Sequence, residues 1–191
     1  MSLLLLCLGG CAPRGRAVGD TWQPGITVEH DGVDRSNASV LIVAPAAQKE
    51  REAMQATNRQ ICSLLEHNGM KAYYADANDL RSQEQAVKDA VARKVHAILI
   101  EGMALGDWNV TLNKARKAGV AVVLLGEGYQ PQDTKLFAAQ FTIDRDDPTA
   151  VPLGRALQTI IDDREHVRSQ MVSLQDDMSQ HEPQDQLEEQ L

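Results

Sequence analysis

The chain has 191 residues, 43% of them hydrophobic and only 4% aromatic, with a net charge of −8 at pH 7. That length holds one ordinary domain with tails rather than two full lobes, and its core must be aliphatic. The acidic balance excludes a nucleic-acid-binding face, which needs basic residues to neutralise phosphates. The five histidines (His30, His67, His96, His166 and His181) are dispersed and offer no metal-ligand spacing.

The chain opens on an apolar run that closes with Leu8-Gly9-Gly10-Cys11. This resembles the lipobox of bacterial lipoproteins, where small residues admit an extended backbone to the peptidase and the cysteine is then lipid-modified. The resemblance implies a signal over residues 1–11, a lipid anchor on Cys11, and an extracytoplasmic protein tethered to the cell membrane. With Cys7 removed and Cys11 modified, Cys62 has no partner for an intrachain disulfide. Residues 12–37 read as a linker, with a short extended piece at Ile26-Thr27-Val28.

From Ser39 the pattern changes. Ser39-Val40-Leu41-Ile42-Val43-Ala44 is a continuous run of strand length, the mark of a strand buried on both faces. Residues 50–68 have helical spacing, with Met54, Ile61, Leu64 and Leu65 on one face. Gly69 follows where a left-handed cap belongs. Lys71-Ala72-Tyr73-Tyr74-Ala75 is a second strand. Residues 82–94 predict a helix, with Ser82 as N-cap and Gln85 completing a capping box.

Val95-His96-Ala97-Ile98-Leu99-Ile100 is the third strand, and Asp107 caps a helix that runs to Lys117 and ends at Ala118-Gly119. Val120-Ala121-Val122-Val123-Leu124-Leu125 is the fourth strand; a shorter, more polar fifth covers residues 137–143. Asp147-Pro148 opens the last helix, with Asp as N-cap and Pro at the first helical position. Along it Leu153, Leu157, Ile160, Val167, Met171, Leu174 and Met178 follow steps of three and four, with Arg164 interrupting. Such a heptad seam predicts a helix running past the globular domain, able to pair with a second copy as a homodimer. Residues 179–191 are acidic and Gln-rich and read as a disordered tail. The globular lobe therefore covers residues 38–163, with the helical extension and tail over 164–191.

Strands alternating with helices mean right-handed crossovers and a parallel sheet between two helical layers. The expected architecture is a three-layer α/β/α lobe with five mostly parallel strands in the order 2-1-3-4-5. In that arrangement ligands meet the loops at the carboxyl ends of the strands. Asp76, Asn78, Asp144, Arg145 and Glu127 are the polar candidates there, with Trp108 as a surface for stacking. Asp and Asn also suit turns, because they hydrogen-bond their own backbone, and Trp108 equally suits packing at a helix start. Glu101 and Glu127 end strands on the same edge but lack a nucleophile or metal to make an acid–base pair. Gly102, Gly106, Gly126 and Gly128 form neither a dinucleotide nor a P-loop fingerprint. The expectation is binding without catalysis, cofactor or metal.

Four segments together carry a resemblance. They are Gly69-Met70-Lys71-Ala72-Tyr73-Tyr74-Ala75-Asp76-Ala77-Asn78-Asp79 followed by Gln83-Glu84-Gln85, then Val95-His96-Ala97-Ile98-Leu99-Ile100, then Lys114-Ala115-Arg116-Lys117-Ala118-Gly119 with its Val-rich strand, and Thr142-Ile143-Asp144 with Gly154. In this order, residues 40–162 resemble the first lobe of the type I periplasmic binding proteins, the group of ribose- and galactose-binding proteins and lactose-repressor-like regulators. The resemblance implies a small polar solute such as a sugar and a link to ABC-type import or sensing. Many sugar-binding members place an Asp-Arg pair after the fourth strand. Here Gly126 and Glu127 stand there, and Arg145 replaces a small polar residue. The other reading is a degenerate lobe without a ligand, serving as a protein-interaction or self-associating module at the envelope.

Overall fold

A computed structural model of the protein describes residues 36–45, 52–147 and 149–175. The expected signal, Cys11, the extended piece at Ile26-Thr27-Val28, Pro148, Met178 and the acidic tail lie outside the described residues. The apolar runs become parallel strands: β1 (Ser39–Ala44), β2 (Lys71–Asp76), β3 (Ala97–Glu101), β4 (Ala121–Leu125), β5 (Ala139–Ile143), β6 (Val151–Pro152) and β7 (Ser169–Ser173). They make one sheet in the order β2-β1-β3-β4-β5-β7-β6, and every neighbouring pair is parallel. The expected order 2-1-3-4-5 is present, extended by two strands.

Among the described residues four α-helices connect them: α1 (Glu52–His67), α2 (Leu80–Ala92), α3 (Asn109–Lys117) and α4 (Leu153–Ile161). Alternate side chains of a strand point to opposite faces. Val40, Ile42, Leu99, Val123 and Phe141 pack on one face with Ile61 and Leu65 of α1 and Leu157 of α4. Val43, Ile98, Ile100, Val122 and Leu124 pack on the other with Val87 of α2 and Leu112 of α3. Because α1 returns the chain to one side of β1 and α2 to the other, a crevice opens between β1 and β3 at their carboxyl ends.

All four helices end in the same way. A left-handed residue follows the cap, and its N–H and the next one reach back to the last-turn carbonyls. Gly69 (φ +81°) donates to Glu66 O and Met70 to Leu65 O. Gly119 (φ +74°) and Val120 repeat the pattern on Arg116 and Ala115. Lys94 (φ +56°) and Asp163 (φ +53°) do so without being glycine. These Schellman motifs satisfy carbonyls that would otherwise be orphaned and turn the chain toward the next strand.

Two expected helix starts are corrected. The N-cap of α2 is Asp79, not Ser82: Asp79 Oδ1 accepts the Ser82 N–H at 2.8 Å, while Ser82 Oγ receives the Asp79 N–H at 3.2 Å. The box is built from Asp79 and Ser82, and Gln85 instead reaches Asp89 at 2.9 Å. Packing of Leu80 against the core draws the first turn three residues earlier. Likewise Asp147 does not cap α4. Its carboxylate closes a turn on the Thr149 N–H and hydroxyl, β6 follows, and α4 begins at Leu153.

The larger correction is at the end of the chain. No helix runs through residues 164–175; α4 stops at Ile161 and Ser169–Ser173 is β7, lying between β5 and β6. The seam residues are split accordingly, with Leu174 partly buried against the core but Val167 and Met171 exposed. The outer N–H and C=O groups of β5 require partners, and β7 supplies them through the register Gln140–Ser169 to Ile143–Val172. A homodimer through a C-terminal helix therefore has no helix within residues 164–175 to form it.

A side chain at φ near +55° carries strain that glycine avoids. Lys94→Gly and Asp163→Gly should each stabilise the fold by about 0.5–1 kcal/mol, measured by urea denaturation. Gly69→Ala should destabilise it by a similar amount.

Candidate functional site

The last residues of β1, β2 and β3 meet at the crevice. Ala44 stands opposite Asp76 and, one step beyond the Val43–Ile100 pair, beside Glu101. Asp76 and Glu101 lie on the α1 side of the sheet, because they continue the alternation of Ala72 and of Ala97 and Leu99. Ala44 is too small to fill the space between them. Strands lie about 4.8 Å apart, so the two carboxylates flank this recess from backbones about 10 Å apart.

Asn58 of α1 closes the recess from above. It is 2% exposed, and neither its amide nitrogen nor its oxygen has a hydrogen-bond partner. Glu101 Oε2 is buried without a partner as well. Burial pushes the Glu101 carboxyl up from its ordinary value, and the nearby Asn58 amide offsets part of that rise. Asn58 thus lies close enough to influence Glu101 without the alignment that makes a hydrogen bond. Burial and then the adjacent Asp76 carboxylate push the Tyr74 hydroxyl up to about 12. The arrangement joins two carboxylate acceptors to an amide and a phenol hydroxyl that can each donate and accept.

From Tyr74 and Asp76 a groove of about 430 Å³ continues along α1, lined by Asn58, Arg59, Cys62, Ser63 and Glu66. Among the described residues no group of three or more His, Cys, Asp or Glu side chains is placed to hold a metal.

Neighbouring loops are stitched rather than loose. Gln83, 1% exposed, donates from Nε2 to Gly102 O at 3.1 Å and accepts the Ala104 N–H on Oε1 at 2.9 Å. It thereby holds the backbone that follows Glu101. Tyr129 N–H donates to Met103 O at 3.0 Å, joining this loop to the one after β4. A Cβ on Gly128 would lie 2.8 Å from the Met103 nitrogen, so only glycine permits that approach.

The residues expected from sequence separate into two groups. Asp76 reaches the recess and Asn78 is exposed just beyond it. Asp144 and Arg145 follow β5, four strand steps from β2, or about 19 Å. Asp144 Oδ1 accepts the N–H groups of Asp146 and Asp147, and Arg145 donates to Thr57 Oγ1 at 2.9 Å and Gln60 Oε1 at 3.3 Å. They close a turn and fasten it to α1. Glu127 is exposed in the loop after β4.

Trp108 is corrected outright. It is 1% exposed and its Nε1–H donates to Ala104 O at 2.9 Å, so no ring face is open for stacking. Sequence reasoning missed Asn58, whose polar side chain on an otherwise apolar helix face was the available signal. It also set Glu101 aside for want of a catalytic partner, though a binding carboxylate needs none.

No known family profile and no curated protein sequence matches the chain. Solved structures do. A protein from Mycobacterium smegmatis in complex with β-D-fucofuranose matches with TM-score 0.50 and 22% identity, over 56% of this chain and 35% of that one. This chain has the fold of one lobe of a type I periplasmic binding protein. A galactofuranose-binding protein (TM-score 0.49, 19% identity, 70% of this chain and 56% of that one) is also similar. So is the periplasmic component of the arabinose ABC transporter of Shewanella sp. ANA-3 (TM-score 0.49, 17% identity, 71% and 55%), bound to α- and β-L-arabinofuranose. The chain spans between about a third and somewhat over half of these proteins.

Gln83→Ala leaves the Ala104 N–H and Gly102 C=O without their buried partner. It should cost about 2–4 kcal/mol in urea denaturation, whereas Gln85→Ala, at an exposed position, should cost less than about 0.5 kcal/mol.

Proposed function

We propose that this chain is an extracytoplasmic solute-binding lobe that recognises a neutral polyhydroxylated solute such as a sugar, held at the recess between Asp76 and Glu101. The observation that carries the reading is the buried amide of Asn58, without an aligned partner, beside the Glu101 carboxyl at the sheet's switch point and in the groove that Asp76 lines. Carboxylates there accept hydrogen bonds from hydroxyls and repel anions. A buried amide without partners is costly unless a ligand satisfies it. Open α/β sheets bind ligands in this crevice, and the fucofuranose complex noted above has the same fold. This pairing takes the place of the Asp-Arg clamp that Gly126 and Glu127 do not supply.

A lobe of this kind forms one wall of a site, the facing wall coming from a second lobe or a partner. Lipid anchoring through Cys11 and service to an ABC-type importer or a sensor belong to the same proposal, supported by Leu8-Gly9-Gly10-Cys11. Binding requires no bond to be broken, so no catalytic role is assigned.

The test is a thermal-shift screen against pyranoses, furanoses, polyols and sugar acids. Bound ligand stabilises the native state by RT ln(1 + [L]/Kd), so millimolar solute reveals even a weak site. A neutral sugar should raise the melting temperature, and Asp76→Asn with Glu101→Gln should remove the rise. A sugar response that survives both changes, or a response confined to anions, overturns the reading.

The site also leaves a signature without ligand. Glu101 is held above its ordinary value of 4.5. The folded state therefore retains its proton longer than the unfolded state, and stability from this group is lost as pH rises through both values. Glu101→Gln should raise the melting temperature at neutral pH, with the gain shrinking as pH falls through the raised value and gone below about 4.5.

A further inference from the structure

The outer edge of β2 is built unlike the other edge of the sheet. At the far edge, β6 has two residues and one of them is Pro152, which has no N–H to offer. Six-residue β2 pairs only with β1 among the described strands. Lys71 donates its N–H to Ala38 O and Ala77 to Ala44 O, so with a period of two the odd residues face β1. Ala72, Tyr74 and Asp76 therefore turn their N–H and C=O groups outward. Tyr73 and Tyr74 are 47% and 39% exposed, one on each face of the strand.

Both faces beside this edge are hollow. On the α1 side is the groove of about 430 Å³. On the α2 side a cleft of about 260 Å³ is lined by Tyr73, Ala86, Asp89 and Arg93. Helices overhang on both sides of a position where a further strand fits.

We propose that β2 pairs antiparallel with β2 of a second copy, about a twofold axis normal to the sheet that passes beside Tyr74. The register follows from the backbone. The outward-facing residues 72, 74 and 76 are symmetric about Tyr74, so this pairing alone uses all three on each chain, exchanging six hydrogen bonds. It sets Tyr74 beside Tyr74 of the second copy on the α1 face. On the α2 face it sets each Tyr73 opposite the small Ala75, which the cleft there accommodates.

The helices fit the same axis. α1 packs across β1 and β2. With strands about 4.8 Å apart, α1 and its mate would stand about 10 Å apart, the ordinary distance for packed helices. The two α1 helices would be antiparallel. Arg59 and Glu66, two turns apart on the stripe lining the groove, straddle Cys62 and Ser63. Antiparallel pairing brings Arg59 of each copy toward Glu66 of the other, with the small Cys62 and Ser63 at the centre. A parallel pairing would set like charges together. This charge complementarity, and the register that uses every outward-facing group, select a second copy over other occupants of the edge.

Sedimentation of the full chain with Cys7→Ser and Cys11→Ser, which leaves Cys62 as the sole thiol, should show a concentration-dependent dimer. A short bis-maleimide should link the two Cys62 thiols. Arg59→Glu, at an exposed position, should weaken the dimer at least about tenfold, and the swap Arg59→Glu with Glu66→Arg should restore it. Ala72→Pro, which removes an outward N–H and none that faces β1, should also give monomer with a cooperative melt. A chain that is monomeric up to sub-millimolar concentration overturns the proposal. So does a dimer that neither crosslinks at Cys62 nor responds to the charge swap. A monomer whose Tyr74 amide exchanges slowly with deuterium overturns it as well, and places another segment of the same chain on the edge.

Discussion

Every feature of the carboxyl edge depends on the parallel ladder through β1, β3 and β4. β4 is buried along its whole length, and β3 is buried from Ala97 to Ile100. Strands covered on both faces have no room for a polar side chain until the ladder ends. Glu101 is the first residue of β3 at which a carboxylate can exist. The same ladder fixes its neighbours, Ala44 and Leu125, and hence the shape of the recess.

Polar groups at that edge divide into satisfied and unsatisfied ones. Gln83 is fully committed to two backbone partners, and Trp108 spends its single donor within its own loop. Asp144 and Asp147 are absorbed by turns. Asn58 and Glu101 hold buried atoms without a partner where the strand order reverses between β1 and β3, as Ser173 does at the end of β7. Burying a polar atom without a partner costs on the order of 1–3 kcal/mol. The part of that cost borne at the β1–β3 crevice is what the proposed binding site would recover when occupied.

The sheet's two edges answer the problem of unpaired backbone differently. β6 ends the ladder with a proline and only two residues. β2 leaves three residues turned outward and carries charge only at its ends, Lys71 and Asp76. Charges and shortness discourage indiscriminate pairing, but aromatic side chains on both faces favour a specific partner.

Much of the fold was legible in local chemistry. The runs at Val40, Ile98 and Val122 could only be buried strands, and the glycines at 69 and 119 marked helix ends because left-handed backbone suits glycine. The strand order followed from alternation of strands and helices. Asp76 was legible as an edge residue for the same reason. What composition and spacing determined, then, is the class of fold and the edge of the sheet to which Asp76 belongs.

Other elements were decided only by tertiary structure. Val167, Met171 and Leu174 step with helical period, yet residues 169–173 form a strand because β5 has backbone groups that only a neighbouring strand can satisfy. Asp79 displaced Ser82 as a cap because Leu80 is drawn into the core. Asp76 and Asp144 look equivalent along the chain but lie four strands apart, while Asn58 and Glu101, remote in sequence, meet over Ala44. Local preference acts over a few residues. Which side chains converge on one site is set by strand order and register, and those are properties of the whole sheet.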